Sequence, residues 1–337
     1  MRFVHTADNH LDMPLNSLPQ GKSTVRKAER RSSFSKIIDY TTKNANMLII
    51  SGDLFHSPTP SASAINFCIK EFEKLGNIPV FIALGNHDYG ISNFNFPGNV
   101  HIFPNNFERI IFKDVAVTGA SFTSETAFLS QSIPSPDPHY KNILVLHGDL
   151  SQASEYNPLD KAKLLSYGYD YVALGHVHTH FRESNIVYPG CHDGGGFDES
   201  GEKGFIFADI SCGLKLDFIP SSSRVYTILD FDVSPFDSSM ALSDALMAKI
   251  ADGIYRINLT GTLKEGFMPN IDYITSYLSE KAFYVSIKDN TRIDTDISQS
   301  SIYRFFSDYL NKNYDGEVAS LAYKYGVWAL KGVKEDL

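Results

Sequence analysis

The sequence predicts an α/β fold of two sheets packed as a sandwich with helices outside, then a small α+β module and two C-terminal helices. Three observations predict it. Five short, apolar, often β-branched runs read as buried strands, and each ends on a residue able to bind a metal. The N-terminal part alternates such runs with helix-spaced segments, the rhythm of a largely parallel sheet. Beyond residue 98 the helical spacing thins out and short strands succeed one another, which fits a second sheet better than a single doubly wound one.

The elements follow in order. A strand spans about 2–6, a helix about 23–44 and a second strand 47–51. Between Pro60 and Leu75, the residues Ile65, Ile69, Phe72 and Leu75 keep helical spacing, and Pro79 opens a third strand. Val100–Phe103, Phe107–Phe112 and Val115–Thr118 read as short strands, and the segment from Ser132 to His139 as a proline-rich loop. Strands at 143–147 and 171–174 come next, and Lys203–Ile210 with Leu214–Ile219 form a hairpin. The segment Pro220–Arg224 reads as a linker, so a catalytic domain is expected over 1–222. Strands at 225–233, 254–260 and 283–288, with helices at 240–250 and 271–282, give an α+β cap domain over 223–290. A helical segment closes the chain over 291–337. Its apolar stripes, Ile302, Phe305, Phe306, Tyr309, Leu310 and then Val318, Leu321, Ala322, Tyr325, Trp328, Ala329, serve either packing within the chain or docking of a partner helix. There are no internal repeats.

Bulk properties bound the function. The 337 residues suffice for a large domain plus a small one. No apolar run approaches the roughly 20 residues that a membrane helix needs, and the start has no secretory-signal layout. Three scattered cysteines, Cys68, Cys191 and Cys212, predict reduced, mostly buried thiols and a cytoplasmic location. A net charge of -9 argues against a simple polyanion binder, yet bound cations and a local basic groove set the field that a phosphate meets. Lys22, Arg26, Lys27, Arg30 and Arg31 form the one notable basic cluster, read either as a solvated helix face or as a contact to backbone phosphates.

The strand ends carry the chemistry. They read Asp8-Asn9-His10, Gly52-Asp53, Gly85-Asn86-His87-Asp88, His147 and Gly175-His176-Val177-His178. Ligands collect at the carboxyl ends of strands in an α/β sheet, so two Asp, one Asn and four His converge. Carboxylate, amide oxygen and imidazole suit hard or borderline divalent ions. Asp53, on a central strand, is the natural bridge between two of them. Each motif alone is weakly or moderately specific; the ordered set is not.

That set resembles the calcineurin-like metallophosphoesterases over residues 1 to about 210. The segment Gly52-Asp53-Leu54-Phe55-His56, with a histidine three positions after the bridging Asp, resembles the SbcD-type DNA repair nucleases. The start, His5-Thr6-Ala7-Asp8-Asn9-His10-Leu11-Asp12, is similar too, with Asp12 where many members have glycine, as in a YhaO-like bacterial branch. The resemblance implies a metallophosphoesterase sandwich with α/β/β/α layers. It implies one ion held by Asp8, His10 and His178, another by Asn86, His147 and His176, and Asp53 bridging. His56 and His87 would face substrate, with Asp88 orienting His87. Manganese is the family's usual metal, with iron or zinc as other occupants. DNA is the implied substrate, and an SbcC-like SMC-type ATPase or a second copy of the chain the implied partner.

The expected function is a manganese-dependent DNA exonuclease with endonuclease activity; the alternative is a small-molecule or nucleotide phosphoesterase. A non-catalytic scaffold would be expected to have lost ligands. His87 is the expected proton donor to the leaving group. His180 is expected at the rim or in a structural role, and the glycine-rich loop His192–Phe197 lining a substrate groove. Phe94, Phe96 and Phe122 are base-stacking candidates that more often serve a core.

Overall fold

The computed structural model describes residues 1–264, 266–293, 301–314 and 316–331, and the chain divides into two compact units, Met1–Val225 and Tyr226–Leu337. In chain order the first unit holds β1 (Arg2–Thr6), α1 (Gln20–Asn44), β2 (Met47–Ser51), α2 (Ala62–Glu73), β3 (Val80–Ala83) and β4 (Val100–Ile102). Then come β5 (Glu108–Phe112), β6 (Val115–Gly119), β7 (Lys141–His147), α3 (Lys161–Tyr167), β8 (Tyr171–Gly175), β9 (Phe181–Glu183), β10 (Ile186–Tyr188), β11 (Gly204–Asp209) and β12 (Lys215–Pro220).

Two six-stranded sheets result, ordered β12-β11-β1-β2-β3-β4 and β5-β6-β7-β8-β10-β9. The strands that end in ligand residues, β1, β2, β3, β7 and β8, lie inside the sheets and run parallel to one another within each sheet, and β1 meets β11 antiparallel on its other side. Alternation along each strand assigns its faces. Phe3, Met47, Ile49, Val117, Val145 and Ala173 meet between the sheets. Val4, Leu48, Ile50 and Ile82 turn outward onto Phe34, Ile37, Ile38 and Phe72 of α1 and α2. On the far side Leu144, Leu146, Val172 and Leu174 pack with Leu164 and Tyr169. Helix, sheet, sheet and helix thus form the expected layers.

Two local features depart from expectation. Helix α1 starts at Gln20, a turn early, and its buried stripe includes Arg26 and Arg30 ahead of Phe34, Ile37, Ile38 and Thr41. The basic cluster therefore divides, and two of its five residues, Arg26 and Arg30, are neither solvated nor free to touch a phosphate. The three-residue pair β9–β10 extends the second sheet, although its residues carry too short a pattern to be read as strands.

In the second unit β13 (Tyr226–Asp232), α4 (Ser239–Met247), β14 (Ile254–Thr260), β15 (Thr262–Leu263), α5 (Ile271–Leu278), β16 (Tyr284–Asp289) and β17 (Arg292–Ile293) precede α6 (Ser301–Asn313) and α7 (Gly316–Lys331). β13, β14 and β16 make a parallel three-stranded sheet, and Ile257 and Leu259 pack with Leu242, Leu246, Ile274 and Leu278 from α4 and α5. On α6 and α7, Leu310 and Val327 are buried, while Phe305, Tyr309, Val318, Leu321 and Tyr325 are exposed. Ile302 and Trp328 of the expected stripes lie outside the described side chains.

Candidate metal centre

The loops after β1 and β2 build the floor of the site together. Asp8 N–H donates to Gly52 O at 3.0 Å, His10 N–H to Asp53 O at 3.0 Å and Leu11 N–H to Leu54 O at 3.1 Å, so the two segments run side by side. Asp8 (φ 51°), His10 (φ 43°), Asp53 (φ 52°) and His176 (φ 108°) all sit at positive φ. Non-glycine residues rarely adopt this region, and such conformations cluster where side chains must be aimed rather than merely packed. Close approach also demands glycine. A Cβ on Gly52 would fall 2.1 Å from His147 Nδ1, and one on Gly85 would fall 2.3 Å from Asp53 Oδ1.

All seven expected ligand residues lie at this one end of the sandwich. Ligand atoms of Asp8, His10 and His178 lie within 4.8 Å of one another, as do those of Asp8, Asp53 and His147. Asp53 Oδ2 stands 3.7 Å from His10 Nε2 of the first group and 3.5 Å from His147 Nε2 of the second, within reach of both, and Asp8 is the residue that the two groups share. Asn86 Oδ1 is 3.0 Å from His147 Nε2. The His176 ring meets His147 edge-on at 5.3 Å between centroids, and the His176 backbone N–H donates to both Asp8 oxygens at 3.0 and 3.1 Å. His10 and His178 present Nε2 to each other at 3.2 Å. Two lone-pair clusters sharing an acidic centre fit two divalent cations by donor chemistry.

Bonds behind the ligands fix which nitrogen is offered. His147 Nδ1 faces Ser51 O at 2.9 Å; a carbonyl only accepts, so Nδ1 carries the proton and Nε2 keeps its lone pair. His178 Nδ1 is tied by a short bond to Glu199, a carboxylate–histidine pairing that sets ring orientation and raises ligand basicity. Burial pushes His178 down, but Glu199 bonded to it and Asp8 nearby raise it to about 9. Burial raises Glu199, yet its bond to His178 outweighs that and holds it at about 2. Burial lowers His10 well below the usual histidine range, helped by His178, and takes His176 to about 4. Burial and then Asp53 raise Asp88.

His56 and His87 stack at 5.0 Å with their planes 16° apart, beside the ligand cluster. With His10 they form a third convergent group. Burial and then His87 lower His56. The expected pairing of Asp88 with His87 is not made. Asp88 accepts the N–H groups of Gly85 at 2.8 Å and Leu54 at 2.7 Å, and is consumed in holding the two loops together. His87 Nδ1 instead faces His56 O at 3.2 Å, and the His87 backbone N–H donates to Asp53 Oδ1 at 2.9 Å.

Other expectations resolve as follows. Cys191 through Phe197 are buried, and His192 bonds to Asn9 and to Arg30 O, so this glycine-rich loop is core and lines no groove. Phe122 is buried edge-on to His147, and Phe94 and Phe96 pack onto the helical layer, so none is a free stacking platform. His180 bonds to Tyr188 O and stacks on Phe218. Sequence reasoning missed Glu199, for which no spacing signal exists. It also missed buried Asn157, whose Nδ2 donates to His147 O at 2.8 Å, and Asp149, 3.9 Å from His176 Nε2. Asp149 did carry a signal: it stands two residues from a ligand histidine, as Asp8 does from His10.

Residues 1–180 match the model of the calcineurin-like phosphoesterases. An uncharacterized metallophosphoesterase, YhaO of Bacillus subtilis, is 29% identical over 238 residues, 63% of this chain and 58% of that protein. The DNA double-strand break repair protein Mre11 of Methanococcus maripaludis is 25% identical across 94% of this chain and 92% of its own. Mre11 of Saccharolobus solfataricus is 29% identical across 54% of this chain and 50% of its own. The chain thus spans little more than half of two of these three relatives. Family match and ordered ligand geometry agree: the chain belongs to the calcineurin-like phosphoesterases, a family of two-metal hydrolases of phosphoester bonds.

Proposed function

We propose that the protein is a dinuclear-metal phosphodiesterase that cleaves DNA, as a manganese-dependent exonuclease and endonuclease of the SbcD type acting in repair. The observation that carries this reading is the stacked His56–His87 pair beside the ligand cluster. The near-full-length similarity to an Mre11 supports DNA as substrate. When bound, two divalent ions neutralise phosphoryl charge and lower the pKa of water. Asp8, His10 and His178 would hold one, Asn86, His147 and His176 the other, and Asp53 would serve both. His87, with Nδ1–H donating to the His56 carbonyl, presents Nε2 to the leaving oxygen and, as the doubly protonated imidazolium, delivers the Nε2 proton there and is left neutral. His56, stacked beneath, fixes the plane of His87 and borders the substrate. Asp88 acts only by holding the Asp53 and Asn86 loops. The unit after Val225 acts as a cap that places DNA, and the exposed side chains of α6 and α7 receive an SbcC-like ATPase or a second copy of the chain. The whole acts in the cytoplasm.

The test is end-labelled duplex DNA with Mn²⁺, beside bis-p-nitrophenyl phosphate and nucleoside monophosphates. Stepwise shortening of DNA is expected, reduced by about 10²–10⁴-fold in His87→Ala. Turnover of the small esters with intact DNA would sink the nuclease reading and install a small-ester phosphoesterase in its place.

A further inference from the structure

Of the three residues of the basic cluster that α1 leaves unburied, two, Lys27 and Arg31, line a cavity. Thr24, Lys27, Ala28 and Arg31 are spaced i, i+3, i+4, i+7 and share one helix face. With Leu11, Asp12 and Ser61 they enclose about 410 Å³. This cavity shares a wall with the metal centre. Leu11 and Asp12 directly follow His10, and Asp12 Oδ1 accepts the His56 N–H at 3.0 Å. His56 Nδ1 in turn stands 3.3 Å from His10 Nδ1.

The lining is chemically selective. Lys27 is exposed and, among the described residues, makes no ion pair or hydrogen bond. Arg31 donates to Ser63 Oγ at 3.1 and 3.2 Å and lies 5.3 Å from the Phe67 ring centroid; among the described residues no carboxylate neutralises it. Asp12 is the acidic group in the lining, and both its oxygens are turned to backbone N–H groups, of His56 and of Ser61 at 3.4 Å. Ser61 Oγ accepts the Ala64 N–H as cap of α2, which leaves its O–H to donate. Two cations without a direct ion pair among the described residues and the Ser61 hydroxyl, in one recess, are the donor set of a phosphate contact, since the Thr24 hydroxyl is spent on Gln20 O at 3.0 Å. In a chain of net charge -9, such a recess beside a phosphoester site is not explained by solubility.

We propose that this cavity takes a second phosphate of the substrate, that of a nucleotide next to the scissile diester, so that the site favours oligonucleotide strands over single-phosphate esters. This rests on the phosphodiesterase reading above. Lys27 and Arg31 are then binding residues that act on the strand and not on the reacting atoms.

The test compares the Mn²⁺-loaded full chain with Lys27→Ala, Arg31→Ala, the double variant and Lys27→Arg, on a thymidine hexanucleotide and on bis-p-nitrophenyl phosphate. The ratio of kcat/KM between the two substrates is expected to fall on the order of tenfold in the double variant, through KM on the hexanucleotide, and to stay at the wild-type value in Lys27→Arg, which keeps the charge. In EDTA, the slope of log binding constant against log salt for the hexanucleotide should flatten by about 0.7 for one lost phosphate contact. An unchanged ratio and slope, with the wild type active on both substrates, overturns the second-phosphate site and leaves the phosphodiesterase standing. A wild type inactive on both overturns the reading beneath it. Lys27 is exposed, and a thermal melt checks that each variant folds.

Discussion

At the scale of single residues, the site is organised by what each histidine can no longer do. His192 shows the principle away from the ligands. Its Nδ1 accepts from Asn9 Nδ2 at 3.2 Å and its Nε2 donates to Arg30 O at 3.0 Å, so the neutral ring fits and a second proton would face a donor. Burial, then the charge of Arg30, lowers it to about 3. The unfolded chain binds a proton near pH 6.5, which the folded chain refuses until about pH 3. Stability is therefore complete above pH 6.5 and drains away as the pH falls through that window, by about 2 kcal/mol for this one ring at pH 5. Urea unfolding of the metal-free chain at pH 7 and pH 5 checks this, and a flat profile would show that the ring is not buried neutral. The same logic marks what was legible residue by residue. Asp8, His10, Asp53, Asn86, His147, His176 and His178 are legible because each ends a readable strand. Glu199 is not, because it reaches His178 only through the folding of the glycine-rich loop.

Among elements, α1 departs most from its sequence. Periodicity treats arginine as solvent-facing, so Arg26 and Arg30 read as surface; the helix turns that stripe inward where the metal-ligand loops need polar support, and reverts to apolar residues beyond Phe34. Arg26, fully buried, pairs with buried Asp193 and with Glu29. Arg30 Nε donates to Asn9 O at 2.9 Å and so props the loop that carries Asp8 and His10. Arg26→Ala is expected to cost about 3–5 kcal/mol, because it strands a buried carboxylate. The double variant Arg26→Met, Asp193→Leu should recover most of that loss, because a buried pair contributes far less than the penalty for breaking it. Equal instability of the single and double variants in urea would mean that the contact to Glu29, and not the buried pair, holds the helix. The β9–β10 hairpin escaped notice for a simpler reason: three-residue strands carry no measurable alternation.

Across the whole molecule, the two units have separate cores, and the ligand residues belong entirely to the first. The sandwich was legible because strand order and ligand order coincide; of the edge strands β12, β4, β5 and β9, only the three-residue β9 was not. A metal that binds the folded first unit and not the unfolded chain must stabilise it by RT ln(1 + [L]/Kd), about 2.7 kcal/mol at a hundredfold excess over Kd. For a unit of this size that is a rise of roughly 5–10 °C in Tm. The rise should grow with the logarithm of Mn²⁺ concentration and vanish in EDTA. It should shrink in His147→Ala, whose Nε2 stands between Asn86 and Asp53, because the Asp8, His10 and His178 group is left intact. Scanning calorimetry reads it directly. A Tm indifferent to Mn²⁺ in the wild type would mean that the converging carboxylates and imidazoles hold no manganese, whatever the enzyme's activity, and the same scan with Zn²⁺ or Fe²⁺ would then identify the ion that the ligand set does hold.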